Sequence, residues 1–439
     1  MLIIIFTLIW GIALFIFLVY SLISLLFRMI SYPRDFYHFA GNQQPAKIDR
    51  NLQYYVIVPC FNEAAVIQRT IKCLLRFKQF EIVVVDDASS DDSVGQIKQI
   101  TNSRVHLLRR HLPNAHTGKG DVLNFALDYI CQITIRQRVP FEKVIIGVVD
   151  ADAQLADNAL QRLNAYFSSP RTNITQMRVK MYPHFKNWLQ ILQDIEFFSV
   201  NHMAQIMRMY TKTVGLSGNG QFFRLAPIID KIGAHPWGNA LLDDYELTIK
   251  MMLKKLHVDY MTDTYVYQEA LTSPKRFVRQ RSRWVQGDLN CLKYLPQIIK
   301  SRVLSRTQKL GIYYFLLQPW LNFLADIAII ILTTITLTHW HNLYGHLTLM
   351  TFSLVMAGLV VFSLFWGIIL GIFYYRDLAH YHEPPLKKAS ISLITVWNFL
   401  YVCYLIFWYY SCLLAVEFSP KFMDKNGTWK KCFLNSGEI

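Results

Sequence analysis

Two apolar runs in the middle of this chain each end in closely spaced aspartates. Residues 82–85 are followed directly by Asp86 and Asp87, and residues 144–149 are followed by Asp150 and Asp152. Short β-branched runs that lie between helical stretches are typical of buried strands in an α/β sheet. Ligands of such sheets bind beyond the carboxyl ends of the strands. We therefore expect these carboxylates to lie together at one ligand-binding edge.

The segment from about residue 54 to residue 300 alternates between strand and helix patterns. Such alternation predicts a mostly parallel α/β sheet that is covered by helices on both faces. The predicted elements, in order, are a strand at 55–59, a helix from Asn62 to about Arg76, a strand at 82–85, a helix to about Thr101, a strand at 105–109, a helix at 121–131 and a strand at 144–149.

Both ends of the chain are strongly apolar, and 53% of its 439 residues are hydrophobic. Four stretches, 2–27, 310–338, 347–375 and 391–416, are long enough to cross a bilayer, which takes roughly 20 residues. The first lacks a basic leading region and a small-residue cleavage site, so we expect a retained anchor rather than a signal peptide.

These patterns predict five parts of the chain. They are an N-terminal transmembrane helix (1–28), a basic linker (29–52), a cytoplasmic catalytic domain (53–300), an interfacial segment with three transmembrane helices (301–416) and a tail (417–439).

The formal net charge is +15, and the basic residues cluster beside the apolar stretches, whereas the loop 339–346 has no Lys or Arg. Basic loops stay in the cytoplasm, so we expect a multi-pass cell-membrane protein whose middle segment is cytoplasmic. Anionic lipid headgroups and nucleotide phosphates explain these clusters better than nucleic acid does. The seven cysteines have no metal-binding spacing and are expected to remain thiols.

The strand-end aspartates each have two readings. Asp150 and Asp152, one residue apart, can hold Mg²⁺ or Mn²⁺ together with diphosphate oxygens and water, or they can be a plain surface turn. Asp86 or Asp87 suits the uridine and ribose of a nucleotide sugar, but the same residues could cap the following helix. Their shared place at strand ends favours the ligand-binding reading.

Two later segments add candidate chemistry. Asp243 and Asp244 open a helical pattern, where they could either complement the helix dipole or supply a general base toward a sugar hydroxyl. In the basic stretch 275–283, Arg283 could form bidentate hydrogen bonds with a diphosphate, and Trp284 could offer a stacking face to a sugar. Arg279 and Arg281 fit a solvated or lipid-facing surface of the same helix.

The residues from about 53 to 300 resemble the processive family 2 glycosyltransferases, which include cellulose, hyaluronan and poly-N-acetylglucosamine synthases. The matching motifs are Pro59-Cys60-Phe61-Asn62-Glu63, Gly118-Lys119-Gly120-Asp121-Val122-Leu123-Asn124, the Gly-rich loop Ser217 to Arg224, and Gln280, Arg283 and Trp284 as QxxRW. One departure is Leu242-Asp243-Asp244, where relatives usually carry Thr-Glu-Asp. The second acid is kept, so Asp244 remains the candidate base.

The resemblance implies a GT-A fold, a UDP-sugar donor, a divalent ion and inversion at the anomeric carbon. Carried over by position, the donor side comprises Asp86, Asp87, Lys119, Asp150 and Arg283. The acceptor side comprises Gln280, Trp284 and the loop residues Gly218, Asn219 and Gly220, while Asp150 and Asp152 would hold the metal.

We expect a polysaccharide synthase that uses UDP-N-acetylglucosamine or UDP-glucose, elongates a growing polysaccharide and exports it. The QxxRW motif and the apolar stretches that follow favour this reading, which leaves room for a separate export or regulatory protein. The alternatives are transfer of a single sugar to a lipid acceptor and a non-catalytic membrane scaffold with a degenerate transferase domain.

Overall fold

The computed structural model describes residues 49–169 and 173–318 without interruption, together with 22–30, 371–380, 382–383 and isolated positions within 12–19 and 331–369. The tail and most of the linker and of the four predicted membrane spans lie outside the described residues. Within the part that is described, no helix is long and apolar enough to cross a bilayer.

Eight strands of the described chain form one sheet, in the order β3-β2-β1-β4-β7-β6-β8-β5. They are β1 (Gln53–Cys60), β2 (Phe80–Asp86), β3 (Val105–Arg109), β4 (Val144–Val148), β5 (Gln154–Leu155), β6 (Ile174–Met181), β7 (Gln221–Arg224) and β8 (Asp259–Gln268). The predicted strands at 55–59, 82–85, 105–109 and 144–149 are confirmed as β1 to β4.

The two halves of the sheet differ in strand direction. Strands β1 to β4 are parallel, whereas β7 runs antiparallel to both β4 and β6, and β5 runs antiparallel to β8. The β6–β8 pair is parallel again. The expected mostly parallel sheet therefore describes the first half, and the second half is mixed.

The helices cover both faces of the sheet because alternate strand residues point to opposite sides. In β1, Val56 and Val58 belong to one buried cluster, and Tyr55 and Ile57 belong to the other. The helices are α1 (Ile67–Leu75), α2 (Ser93–Lys98), α3 (Lys119–Arg136), α4 (Ala159–Phe167), α5 (Trp188–Ile195), α6 (His202–Thr211), α7 (Leu225–Lys231), α8 (Asp243–Leu253), α9 (Pro274–Cys291) and α10 (Leu295–Lys300).

Two predicted helices were too long. The helix expected from Asn62 begins at Ile67, because the side chain of Asn62 accepts hydrogen bonds from the backbone of Ser90 and Asp91 and so stays in the turn. The helix expected to reach Thr101 ends at Lys98. It begins at Ser93, so Asp86 and Asp87 are not its cap.

Helical residues 22–30 and 371–380 dock against the sheet through buried ion pairs. Arg28 lies 2.7 Å from Asp377, which also pairs with the fully buried Arg178 of β6. Arg28 is one of the basic residues that follow the first apolar stretch in the sequence. The structure buries it in an ion pair with a residue 349 positions away, so it does not form part of a basic surface.

Candidate active site

The two aspartates at the end of β2 have different surroundings. Asp87 is buried and accepts hydrogen bonds from the Arg110 guanidinium at 2.8 Å and from the His116 backbone at 3.0 Å. Asp86 is fully buried, and one of its carboxylate oxygens accepts no hydrogen bond from the described residues. The Arg109 side chain approaches that oxygen to 3.8 Å. Asp87 therefore holds the loop that precedes α3, and a ligand-binding role for Asp86 stays a prediction.

Lys119, the first residue of α3, reaches the end of β4. Its Nζ donates to Asp150 at 2.6 Å and to the carbonyl oxygen of Gly218 at 3.0 Å. Burial lowers the pKa of this lysine, but the carboxylates of Asp150, Asp243 and Asp244 raise it by more than burial lowers it. The net change in the pKa is therefore upward. Lys119 is therefore a charged group placed among three carboxylates.

Asp152 and Glu63 are both protonated more easily than usual. Burial and the nearby Asp150 raise the pKa of Asp152 to about 6. Burial, Asp152 and Asp150 raise the pKa of Glu63 to about 8. From the sequence, Glu63 had no role beyond its place in a motif. It lies close to the two aspartates because β1 and β4 are neighbours in the sheet, which the sequence does not reveal.

The loop before β7 packs on the turn that carries Asp150. Asn219 accepts a hydrogen bond from the Asp150 backbone at 3.3 Å and donates one to Gln268. Gly220 has a positive φ of 76°, and an added Cβ would lie 2.7 Å from Val266. Asn219 and Gly220 thus contact protein groups that shape the Asp150 turn, and their expected acceptor role stays a prediction.

The candidate base lies next to this loop. Helix α8 begins at Asp243, as the sequence predicted. A Cβ on Gly218 would lie 3.1 Å from Lys119 Nζ and 3.5 Å from Asp244 Oδ2, so both groups border the space that a side chain would fill here. Burial and the adjacent Asp243 raise the pKa of Asp244 to about 7, although Lys119 opposes the change.

Helix α9 carries the QxxRW residues and approaches the start of α8 at Gly287. A Cβ at Gly287 would lie 2.6 Å from the backbone nitrogen of Leu242, the residue before Asp243. Arg283, one turn earlier on α9, is exposed. Burial raises the pKa of Asp243 overall, while Lys119 and, to a smaller extent, Arg283 lower it. Close packing at a glycine thus places Arg283 within electrostatic range of Asp243.

Arg281 contradicts the sequence reading, which assigned it to a solvated or lipid-facing surface. It is fully buried and pairs with Glu196 at 2.6 Å, and Gln280 accepts a hydrogen bond from it at 3.2 Å. Its guanidinium lies 4.0 Å from the ring centroid of Trp284. Arg279, by contrast, is exposed as expected.

One more carboxyl group at this site was missed from the sequence. Asp288, one turn after Trp284 on α9, has a pKa well above the usual range because its carboxyl group is buried and lies near the Asp244 carboxylate, whereas Arg208 lowers the value. Its spacing from Trp284 was the available signal, since residues four apart share one helix face.

The carboxylates at the end of β4 fit a divalent cation that is shared with a diphosphate. No group of three or more metal-binding side chains occurs in the described part of the chain. Mg²⁺ typically uses one or two carboxylates and takes its other ligands from substrate phosphates and water. Burial is the main reason for the raised pKa of Asp152, and the neighbouring Asp150 carboxylate adds a smaller repulsion that a cation would offset.

Comparison with known proteins identifies the family. A family model described as Glycosyltransferase like family 2 matches residues 51–287. The beta-monoglucosyldiacylglycerol synthase of Synechocystis sp. is 28% identical over 278 residues, which cover 61% of this chain and 54% of that protein. The probable glycosyltransferase YdaM of Bacillus subtilis is 25% identical, with 61% and 62% covered. The chain thus spans about half the length of the synthases it matches.

A solved structure supports the fold. The mannosyltransferase PcManGT from Pyrobaculum calidifontis, in complex with GDP-Man and Mn²⁺, superposes with a TM-score of 0.54 at 16% identity and covers 85% of this chain and 98% of its own. The expected GT-A-like α/β domain is therefore supported.

Proposed function

Because the chain belongs to the Glycosyltransferase like family 2, we propose that it is a membrane enzyme that transfers a single hexose from a UDP-sugar to a lipid acceptor. The names of two groups of relatives support a glycosyltransferase, and the synthases among them are named for glucosylation of diacylglycerol. These names fit single addition to a lipid better than the polysaccharide synthase expected from the sequence.

The observation that carries the proposal is the convergence of Lys119, Asp150 and Asp244 around Gly218. A donor diphosphate needs positive charge, and an acceptor hydroxyl needs a proton acceptor. The Lys119 ammonium and the Asp244 carboxylate both lie within a few ångströms of Gly218, where no side chain fills the space. This spacing fits a sugar held between its leaving diphosphate and an attacking hydroxyl.

In this scheme the acceptor hydroxyl oxygen attacks the anomeric carbon and the bond from that carbon to UDP breaks, which inverts the configuration. Asp244 accepts the hydroxyl proton, and its pKa of about 7 suits a base that works near neutral pH. Lys119 and Arg283 stabilise the charge that develops on UDP. Asp150 and Asp152 would hold a divalent cation, which supplies further neutralisation of the diphosphate when it is bound.

Polysaccharide synthesis remains the second candidate because QxxRW is intact in the sequence and its helix packs beside Asp244. Location at the cytoplasmic face of the cell membrane is also part of the proposal, and it rests on the distribution of basic residues and apolar stretches.

The deciding experiment uses the purified full-length chain in mixed micelles that contain diacylglycerol. UDP-glucose and UDP-N-acetylglucosamine would be supplied separately with Mn²⁺ or Mg²⁺, and products would be analysed by mass spectrometry and by size. A lipid carrying one sugar is expected. A long polysaccharide without glycolipid would support the second candidate, and absence of any sugar transfer would refute both.

A further inference from the structure

We infer that Glu196 and Arg281 form a positioning pair that fixes the orientation of Trp284 on the acceptor side of the proposed site. The inference rests on the proposed function, because it assigns Trp284 to the acceptor side of that site. Neither Glu196 nor Arg281 was a candidate from the sequence.

The contacts form a short chain from Glu196 to Trp284. Glu196 Oε2 lies 2.6 Å from Arg281 Nη2, and both side chains are buried. The Arg281 guanidinium lies 4.0 Å from the Trp284 ring centroid and 4.5 Å from that of Phe277. The edge-on ring of Phe197, next to Glu196, is 5.9 Å from Trp284. Two neighbouring residues of one segment therefore fix both the arginine and the indole.

The segment that supplies Glu196 has an unusual backbone. Glu196–Asn201 is a π-helical turn between α5 and α6, and such turns occur frequently at functional sites. The Phe198 carbonyl in this turn accepts a hydrogen bond from Arg178 at 3.1 Å, and the Phe198 ring packs under the same guanidinium. Arg178 of β6 thus fixes one side of the turn, and Glu196 on the turn contacts Arg281 of α9.

The charge balance explains why both partners are needed. A buried guanidinium without its carboxylate is strongly unfavourable, so Glu196 keeps Arg281 inside the protein. The planar guanidinium then stacks on the indole, which a lysine ammonium cannot reproduce in the same geometry. The stack on Arg281 thereby sets the angle at which the Trp284 indole can meet an acceptor.

The test measures the environment of Trp284 and the two substrates separately. The full-length protein would be labelled with 5-fluorotryptophan, and the Trp284 resonance would be assigned with Trp284→Phe. Arg281→Lys keeps the ion pair but removes the planar stack, and the double variant Glu196→Gln/Arg281→Met removes both charges together. The exposed pair Arg76 and Asp157, 3.1 Å apart, provides the control double variant Arg76→Met/Asp157→Asn.

We expect both Arg281 variants to shift or broaden the Trp284 fluorine resonance. The KM for diacylglycerol should rise by about tenfold, while the KM for UDP-glucose, measured by UDP release without acceptor, changes by less than about twofold. The control double variant should match the wild type in all three measurements.

An unchanged Trp284 resonance in folded Arg281→Lys would overturn the inference, as would equal increases in both KM values. If wild-type protein fails to glycosylate diacylglycerol, the proposed lipid acceptor is wrong, and the fluorine resonance still decides the positioning role by itself.

Discussion

Lys119 forms a 2.6 Å ion pair with Asp150, so the α3 lysine contacts a carboxylate oxygen that we predicted from the sequence to bind a metal ion. The lysine also donates to the Gly218 carbonyl, which fixes its position on both sides. A donor diphosphate that enters this site therefore meets a preformed positive charge as well as the paired aspartates.

Replacing Lys119 with Met should raise the KM for UDP-glucose by roughly tenfold or more, since a charge-assisted hydrogen bond contributes about 1.5–3 kcal/mol. Steady-state kinetics of the purified chain would measure this. Lys143→Met is the matched control, because Lys143 forms a similar 2.5 Å pair with Asp49 outside the candidate site. Equal effects of the two substitutions would rule out a donor role for Lys119.

Turnover should require a divalent cation near Asp150 and Asp152. EDTA should abolish UDP release, and added Mn²⁺ should restore it. Because the pKa of Asp152 is about 6, the Mn²⁺ concentration for half-activation should be higher at pH 5.5 than at pH 7.5. Asp152→Asn should lose activation at both values, and full activity of the wild type in EDTA would exclude the metal.

Asp244→Asn should lower transfer by roughly 10²–10⁴, since the amide keeps the size of the side chain but cannot accept the proton. UDP binding, measured by calorimetry, should be retained. Asp230→Asn on α7 is a control on an exposed carboxylate. If Asp243→Asn is the more damaging substitution, the base is Asp243 instead.

The pH profile of kcat/KM should rise through about pH 7, because Asp244 accepts a proton only in its ionised form and its pKa is about 7. The rate should therefore be low at pH 6 and approach a plateau above pH 8. A flat profile over this range, with transfer shown to be rate-limiting, would argue against Asp244 as the base.

Asp86 and Asp87 should respond differently to substitution. Asp87→Ala leaves Arg110 buried without its carboxylate, which should lower the free energy of unfolding by about 3–5 kcal/mol. Asp86→Asn should change stability little and should weaken UDP binding. Thermal unfolding and UDP titration of both variants would test this, and a stable Asp87→Ala with normal binding would contradict the assigned structural role.

The first half of the fold was predictable from the sequence because parallel buried strands are continuous apolar runs that end in polar turns. Strands β1 to β4 and the aspartates that follow β2 and β4 all follow that rule. Strand β7 is only four residues long and ends at the buried but charged Arg224, so it carries no such signal. The antiparallel connections of the second half therefore had to come from the structure.

Site residues could be predicted from the sequence where the residue type and its motif indicate the role. They could not be predicted where the role depends on a partner that is distant in the sequence. Asp150, Asp244 and Lys119 could be chosen from motifs, and the structure brings them together. Arg281 was misread as a surface residue because Glu196 lies 85 positions away. Long-range pairing of this kind reverses the usual expectation that arginine is exposed.

The order of the sheet has a practical consequence for altering the enzyme. Asp86, Lys119 and Asp150 all precede residue 155, whereas Asp244, Arg281 and Trp284 all follow residue 240, and the two sets are joined through the antiparallel β4–β7 pair. In the proposed mechanism, the donor-side groups other than Arg283 therefore lie in the first stretch, and the base and the acceptor-side tryptophan lie in the second. Chimaeras that exchange only the second stretch with a relative should change which molecule is glycosylated and keep the same sugar nucleotide.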